Sequence, residues 1–312
     1  MFKQAPALGD VGAGIQISPN GLAVLKALDV AHDFIRCSAQ AHAVELCDFQ
    51  GGKMVARLDL QAHAGDLTYL FAHRQDVIKV LFEGCKAAGV DFTFGEILKN
   101  TTETTLDFAS GLSVTSDIII GADGLHSIVR KALNGDVAPF FTGQVAYRAI
   151  VPNVIAQGNV ARIHMGPNAH IVSYPLHQGQ HLNLVMVREQ SQWVKETWRN
   201  PADPQEVQSK FSNFGGDIAA ALAQLTHVNE WGLFRHPVAQ VWGTSGKVLV
   251  GDAAHPTVPF MAQGANLALE DAWVLAACIA QNSDFDRAIA LYRSQRFERV
   301  SRSVHAATKN SW

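Results

Sequence analysis

Cysteine is scarce in this 312-residue chain: the four present, Cys37, Cys47, Cys85 and Cys278, are scattered and share no metal-binding spacing. Such usage suits reduced thiols in a cytoplasm. Charge of one sign is lacking too, with 25 Lys and Arg against 28 Asp and Glu for a net −3. That gives no reason to expect a nucleic acid or an anionic membrane as partner. No apolar run is long enough to cross a bilayer, and no signal-peptide pattern is present. Internal repeats, low-complexity linkers and long charge runs are missing. So is a G-x-G-x-x-G loop: Gly12-Ala13-Gly14 has Ile17 at the third-glycine position and no strand before it. What is abundant is apolar mass. With 48% hydrophobic residues the chain can bury a large core, divided between two intertwined domains.

Two segments carry chemistry. In Lys247-Val248-Leu249-Val250-Gly251-Asp252-Ala253-Ala254-His255-Pro256 an apolar strand ends at Gly251, which lets a ligand or a neighbouring backbone approach. Asp252 then sets a carboxylate where a ribose or ribitol hydroxyl can donate to it. Downstream, Gly264-Ala265-Asn266 opens a helix whose small residues leave N–H groups and the positive dipole end uncovered for an electron-rich group. The second segment, Ser116-Asp117-Ile118-Ile119-Ile120-Gly121-Ala122-Asp123-Gly124, is again a buried strand ending in a Gly/Asp turn before a helix.

In this order the segments resemble the GADG and GDAAHP motifs of the FAD-dependent aromatic hydroxylases, the para-hydroxybenzoate hydroxylase-like flavoprotein monooxygenases, and most of all the salicylate hydroxylase type. The resemblance covers nearly the whole chain. Gly12 to Asn20 is similar to a loop and helix start beside the flavin, with Ser18 or Asn20 as N-cap. His73-Arg74-Gln75-Asp76-Val77 resembles the HR-x-D-L element, whose Arg contacts the cofactor, and Tyr147-Arg148-Ala149 the start of the substrate-side sheet. Met1 to Pro6 looks like the family's F-E-Q-A-P segment, with Lys3 where the ribose-binding carboxylate stands. Against the family pattern both ends look clipped, and the glycine-loop half of the cofactor site is absent; weakened FAD affinity and exposed sheet edges are the expected results.

The implied fold class is α/β: an incomplete Rossmann-like FAD-binding domain (1–40, 66–138 and 240–312) interleaved with a β-rich substrate domain (41–65 and 139–239). Periodicity predicts a helix over Val77 to Ala88, strands over Ala161 to Met165, His170 to Leu176 and His181 to Arg188, and a helix over Glu206 to Leu225. Ala41 to Leu60 reads as two further strands joined at Gly51-Gly52.

The implied reaction is hydroxylation of a small hydroxybenzoate- or salicylate-like aromatic through a flavin C4a-hydroperoxide, with FAD as cofactor, NADH or NADPH as reductant and O2 as co-substrate. A homodimer is compatible with this reading. The alternatives are a truncated, inactive remnant unable to hold FAD, and a flavin epoxidase or halogenase. The cofactor set expected from the resemblance is Arg74, Asp123, Gly124, Gly251, Asp252, Pro256, Gly264, Ala265 and Asn266. Asp123 equally reads as a turn-forming helix cap. His170 and Tyr174, four apart on one strand face, are the candidates for phenol contact and deprotonation, or else polar lining of a half-buried sheet. Gln16, Arg148 and Pro259 are the substrate-side candidates, Arg148 for a carboxylate or as a structural ion-pair partner. His164, His177 and His181 lack a carboxylate or Cys at ligand spacing and read as solvated strand histidines, so no metal is expected. Glu270-Asp271 reads as complementing a helix dipole rather than as an acid–base pair.

Overall fold

The computed structural model describes residues 1–9, 13–63, 65, 67–192 and 200–309. Gly12 of the glycine segment, the domain boundary at 66 and the tail to Trp312 lie outside the described residues. An eight-stranded sheet dominates, in the order Asn200–Ala202, Val228–Arg235, Phe140–Pro152, His181–Glu189, Ala169–Leu176, Val160–Gly166, Ala43–Asp48, Met54–Asp59. Its pairs are antiparallel except where Val160–Gly166 meets Ala43–Asp48.

Strand alternation sorts this sheet into two faces. On Phe140–Pro152 the odd residues Val145, Tyr147, Ala149 and Val151 join Ile171, Leu182, Leu184 and Met186 in a core closed by Val207, Phe211, Ile218 and Leu222. The even residues turn the other way: Ala146 packs with Val185, Val187 and Trp231, and Ile150 with Tyr174 and Phe71. Arg148 shares that parity and lies opposite Val185, which lies opposite Val172.

The helix expected over Glu206 to Leu225 is two helices, Pro204–Lys210 and Asp217–Leu222. Asp203 caps the first by accepting from the Gln205 amide, with Pro204 at the first helical position. The break belongs to Gly215-Gly216, which pack on the Gln50-Gly51 turn. A Cβ on Gly215 would stand 2.0 Å from the Gln50 carbonyl oxygen, and Gly216 has φ +67°.

The other half is α/β. Parallel strands pair in two separate places, Phe2–Lys3 with Thr93–Phe94 and Ile119–Gly121 with Lys247–Leu249. Ile119–Gly121, expected to be a buried strand, is an edge strand with Ile120 exposed within it and Ile118 exposed before it. Helices Gly264–Gln281 and Phe285–Lys309 cover the Lys247–Leu249 strand, burying Trp242, Leu267, Leu275, Tyr292 and Val300 together.

Two expectations about charged and polar groups need correction. His164 is buried rather than solvated, its ring against the Gly52 turn, and burial together with Arg162 lowers its pKa to about 4. Glu270 and Asp271 do not lie in the first turn of Gly264–Gln281 but two turns in, where side chains from elsewhere claim them. Arg296 bonds both carboxylates, its Nε donating to Asp271 Oδ1 at 2.8 Å. Arg299 and Asn20 also donate to Glu270. Dipole complementarity fades within the first turn, so ion pairing replaces it.

These groups set an acid limit on stability. Burial alone would raise the Glu270 pKa, but Arg299, Arg296 and Asn20 outweigh it and hold it at about 2. Its stabilisation is present above the ordinary carboxylate value and is lost as pH falls from about 4.5 to about 2. Buried neutral His164 acts earlier. Its contribution is complete above about 6.5 and disappears towards its folded value of about 4. Urea midpoints measured from pH 7 to pH 3 should therefore fall continuously, each group contributing up to about 3 kcal/mol. In His164→Gln the decline above pH 5 should flatten; an unchanged slope there would refute the assignment.

Candidate active site

The turn after Lys247–Leu249 is held from three sides. Gly251 has φ +58°, and a Cβ there would lie 3.0 Å from Ala268, so the close neighbour of this glycine is the Gly264–Gln281 helix. Asp271 Oδ2 accepts from the Gly251 amide at 3.0 Å and contacts His255 Nε2. Arg130, buried, donates to the carbonyls of Ala253, Ala254 and Pro237 at 3.2, 3.0 and 2.7 Å. This clamp escaped the sequence reading, because each partner comes from a distant segment.

Asp252 projects from this turn into a cleft. Burial pushes its carboxyl pKa up, offset by His255 and Arg74, yet the residue remains exposed to solvent. Both conditions hold together in a concavity, where protein surrounds a group but an opening reaches it. Arg148 behaves alike: burial lowers its pKa to about 10, Tyr174 opposes that shift and Arg74 adds to it, while solvent still reaches the side chain. Arg74 lies within electrostatic range of both Asp252 and Arg148, and Arg148 of Tyr174, so the four side chains surround one region.

Around them the walls are aromatic. The Arg148 guanidinium lies 4.6 Å above the Trp231 ring. Tyr174 stacks on Phe71 at 5.1 Å, and Tyr69 donates its hydroxyl to Gln16 Oε1 at 2.7 Å. Burial raises the pKa of both tyrosines, with Arg148 and the Gln16 amide pulling Tyr174 back in part, so both are phenols at neutral pH. Space is tight behind Tyr174: a Cβ on Gly14 would meet its hydroxyl at 2.6 Å. His170 sits on the same strand face, roughly 13 Å along the strand from Tyr174. Its ring meets Phe260 edge-on at 5.3 Å, next to Pro259, and burial lowers its pKa to about 4. The structure therefore groups Tyr174 with Arg148 and Gln16, and His170 with Phe260. Pro256 is buried at the end of the Gly251 turn. A polar hollow of about 650 Å³ near Asn168, Arg188 and Lys210 shares no residue with this cleft.

The remaining candidates have structural partners. Asp123 Oδ2 accepts from the Ile128 and Val129 amides at 2.8 and 3.4 Å, and Ser127 caps Arg130, so together they start the Ile128–Asn134 helix. Gly124, at φ +76°, has open space where a Cβ would be. Asp123→Ala should cost about 1 kcal/mol in denaturant unfolding; no change would mean the cap is idle. Asn266 is fully buried, its side chain bonding the Ser18 amide and the Gln16 and Ala262 carbonyls. It ties the Gly14–Ile17 strand to the Gly264–Gln281 helix.

The surroundings suit a dinucleotide cofactor. The Gly264–Gln281 helix has no side-chain cap, and its first backbone bond runs from Leu267 N to Gln263 O. The Gly264, Ala265 and Asn266 amides are thereby left without intrahelical acceptors. Among the described residues, a Cβ on Gly264 would meet only Thr257, at 3.4 Å. An open helix N-terminus, a guanidinium and a cleft carboxylate fit a group that carries phosphates and polyol hydroxyls.

The FAD binding domain family model matches residues 12–307. The 3-amino-4-hydroxybenzoate 2-monooxygenase PtnB3 of Streptomyces platensis is 33% identical over 99% of this chain and 80% of its own length. The 3-hydroxybenzoate 6-hydroxylase of Klebsiella oxytoca is 33% identical over 97% of this chain and 79% of its own. Among solved structures, a salicylate hydroxylase substrate complex superposes with TM-score 0.84 at 21% identity, covering 99% of this chain and 87% of that one. Klebsiella pneumoniae HpxO complexed with FAD and uric acid gives 0.84 at 21%, covering 99% and 80%. With sequence, fold and motif order in agreement, the chain belongs to the FAD-dependent aromatic hydroxylase family.

Proposed function

We propose that this chain is an FAD-dependent, NAD(P)H-using monooxygenase that hydroxylates a small aromatic acid bearing a phenolic or equivalent ring hydroxyl. The supporting observation is Arg148, stacked on Trp231 and desolvated yet reached by solvent, within electrostatic range of the buried Tyr174 phenol. FAD would be held by Arg74, Asp252 and the Gly264–Asn266 amides; once reduced by NAD(P)H it supplies O2 activation and the transferred oxygen atom.

The chain's own groups prepare the ring. Arg148 binds the carboxylate through its planar fork, and stacking on Trp231 holds that fork in place. Two guanidinium groups in one low-dielectric cleft favour the phenolate of a bound substrate, the form rich enough in electrons to accept an electrophilic oxygen. Tyr174 keeps its proton and donates a hydrogen bond to that phenolate oxygen. His170 stays neutral and offers an acceptor at the Pro259 end. The Pro256–Phe260 segment and the aromatic wall limit water. This reading also suits the hydroxybenzoate substrates in the relatives' names.

The test is a panel of hydroxybenzoates, aminohydroxybenzoates and hydroxynicotinates offered to the FAD-loaded protein. NAD(P)H oxidation should rise with one of them, and mass spectrometry should find a product heavier by one oxygen. Bound FAD with no stimulation and no oxygenated product would overturn the proposal.

A further inference from the structure

Three side chains from two distant parts of the sequence meet at the end of the Leu70–His73 strand. His73 ends that strand, Asp76 lies in the first turn of the Arg74–Ala87 helix, and His177 sits on the turn between Ala169–Leu176 and His181–Glu189. One ligand atom from each lies within 4.8 Å of the others. We propose that His73, Asp76 and His177 form a binding site for one first-row divalent cation of the Zn2+ class, with water completing the shell.

Ring geometry supports this. Two imidazoles bound to one ion at metal–nitrogen distances of about 2.0–2.1 Å and a tetrahedral angle have ring centres roughly 5 Å apart. The His73 and His177 centres are 5.4 Å apart. The backbone gives an independent sign: His177 at φ +48° and Gln178 at φ +56° are both left-handed, in a turn where Gly179 alone would adopt that conformation without strain. Non-glycine residues persist there when the surroundings over-determine them, as in ligand clamps. Mixed imidazole and carboxylate donors favour Zn2+ and its neighbours over Mg2+ or Ca2+, which take oxygen ligands. Exposed His177 and buried His73 give the site an outer and an inner wall.

The position gives the ion a structural role. His177 lies three residues after Tyr174, and His73 directly precedes Arg74. A bound cation would lock the turn of the large sheet to the start of the helix that carries Arg74, bracing both cleft walls. The site stands apart from the flavin reading, because neither its ligands nor its test involve hydroxylation.

Untagged, chelator-stripped protein should take up one Zn2+ per chain in a calorimetric titration, and its thermal midpoint should rise with Zn2+ concentration. Binding of Co2+ should give the intense visible bands of a tetrahedral site. Asp76→Asn and His177→Asn should each weaken Zn2+ binding at least ~10-fold, and asparagine tolerates the left-handed backbone at 177. Exposed His32→Asn and His227→Asn should leave it unchanged. Absence of one-to-one binding by the native chain, or equal binding by His177→Asn and Asp76→Asn, would overturn the site.

Discussion

Replacing Asp271 with leucine should destabilise the protein by about 3–5 kcal/mol, because the buried Arg296 charge keeps only Glu270 as a carboxylate partner among the described residues, while the buried Gly251 amide and His255 lose theirs. For a chain of this length that is a fall of roughly 5–8 °C in thermal midpoint. Asp271 is fully buried and Arg296 is 4% exposed, so water cannot replace the lost partner. The carboxylate also joins two helices and a loop: it accepts from Arg296 Nε and the Gly251 amide and contacts His255. Its loss should therefore loosen the Gly251–Pro256 turn as well, and FAD retention should fall with stability. Arg296→Met alone should be similarly harmful. Combined with Asp271→Leu it should be much less harmful than the sum of the two, since a buried pair replaced by apolar groups is often near neutral. Denaturant unfolding of the four proteins closes the cycle, and strictly additive effects would show that the pair is not a unit.

What the sequence disclosed was local chemistry, and what it hid was long-range partnership. The Lys247 to Pro256 and Ser116 to Gly124 segments are legible because strand, glycine and acid follow one another within one turn of chain. Their supports are not: Asp271 reads as a helix-terminal acid until Arg296, 25 residues later, packs across it. The two-helix break at Gly215-Gly216 is masked for a similar reason. Val207, Phe211, Phe214, Ile218, Leu222 and Leu225 keep helical spacing through the break, and all face one core. The break is dictated instead by the Gln50 and Gly51 carbonyls, which the periodicity does not contain. Parity served better in the sheet. His170 and Tyr174 share a face as their even spacing requires, yet spacing could not show that Tyr174 feels the Arg148 charge while His170 meets Phe260. The same limit applies to His177, whose neighbouring carboxylate is Asp76, a hundred residues earlier in the chain.

Arg148→Met should raise the KM for an aromatic carboxylate about 30- to 150-fold, the equivalent of losing about 2–3 kcal/mol of charge-assisted hydrogen bonding. The change in kcat should be smaller, because the carboxylate contact is made in the ground state and persists through reaction. Methionine keeps much of the contact with Trp231, so the loss reads charge and fork rather than packing. Arg148→Lys should fall between the two, retaining charge without the bidentate geometry. The decisive comparison is between each acid and its carboxamide. In the native protein the acid should be strongly preferred, and in Arg148→Met that preference should collapse, since the amide never used the ion pair. A mutant that keeps full preference for the acid would place the carboxylate elsewhere in the cleft, leaving Arg74 as its partner and Arg148 as a support for the sheet.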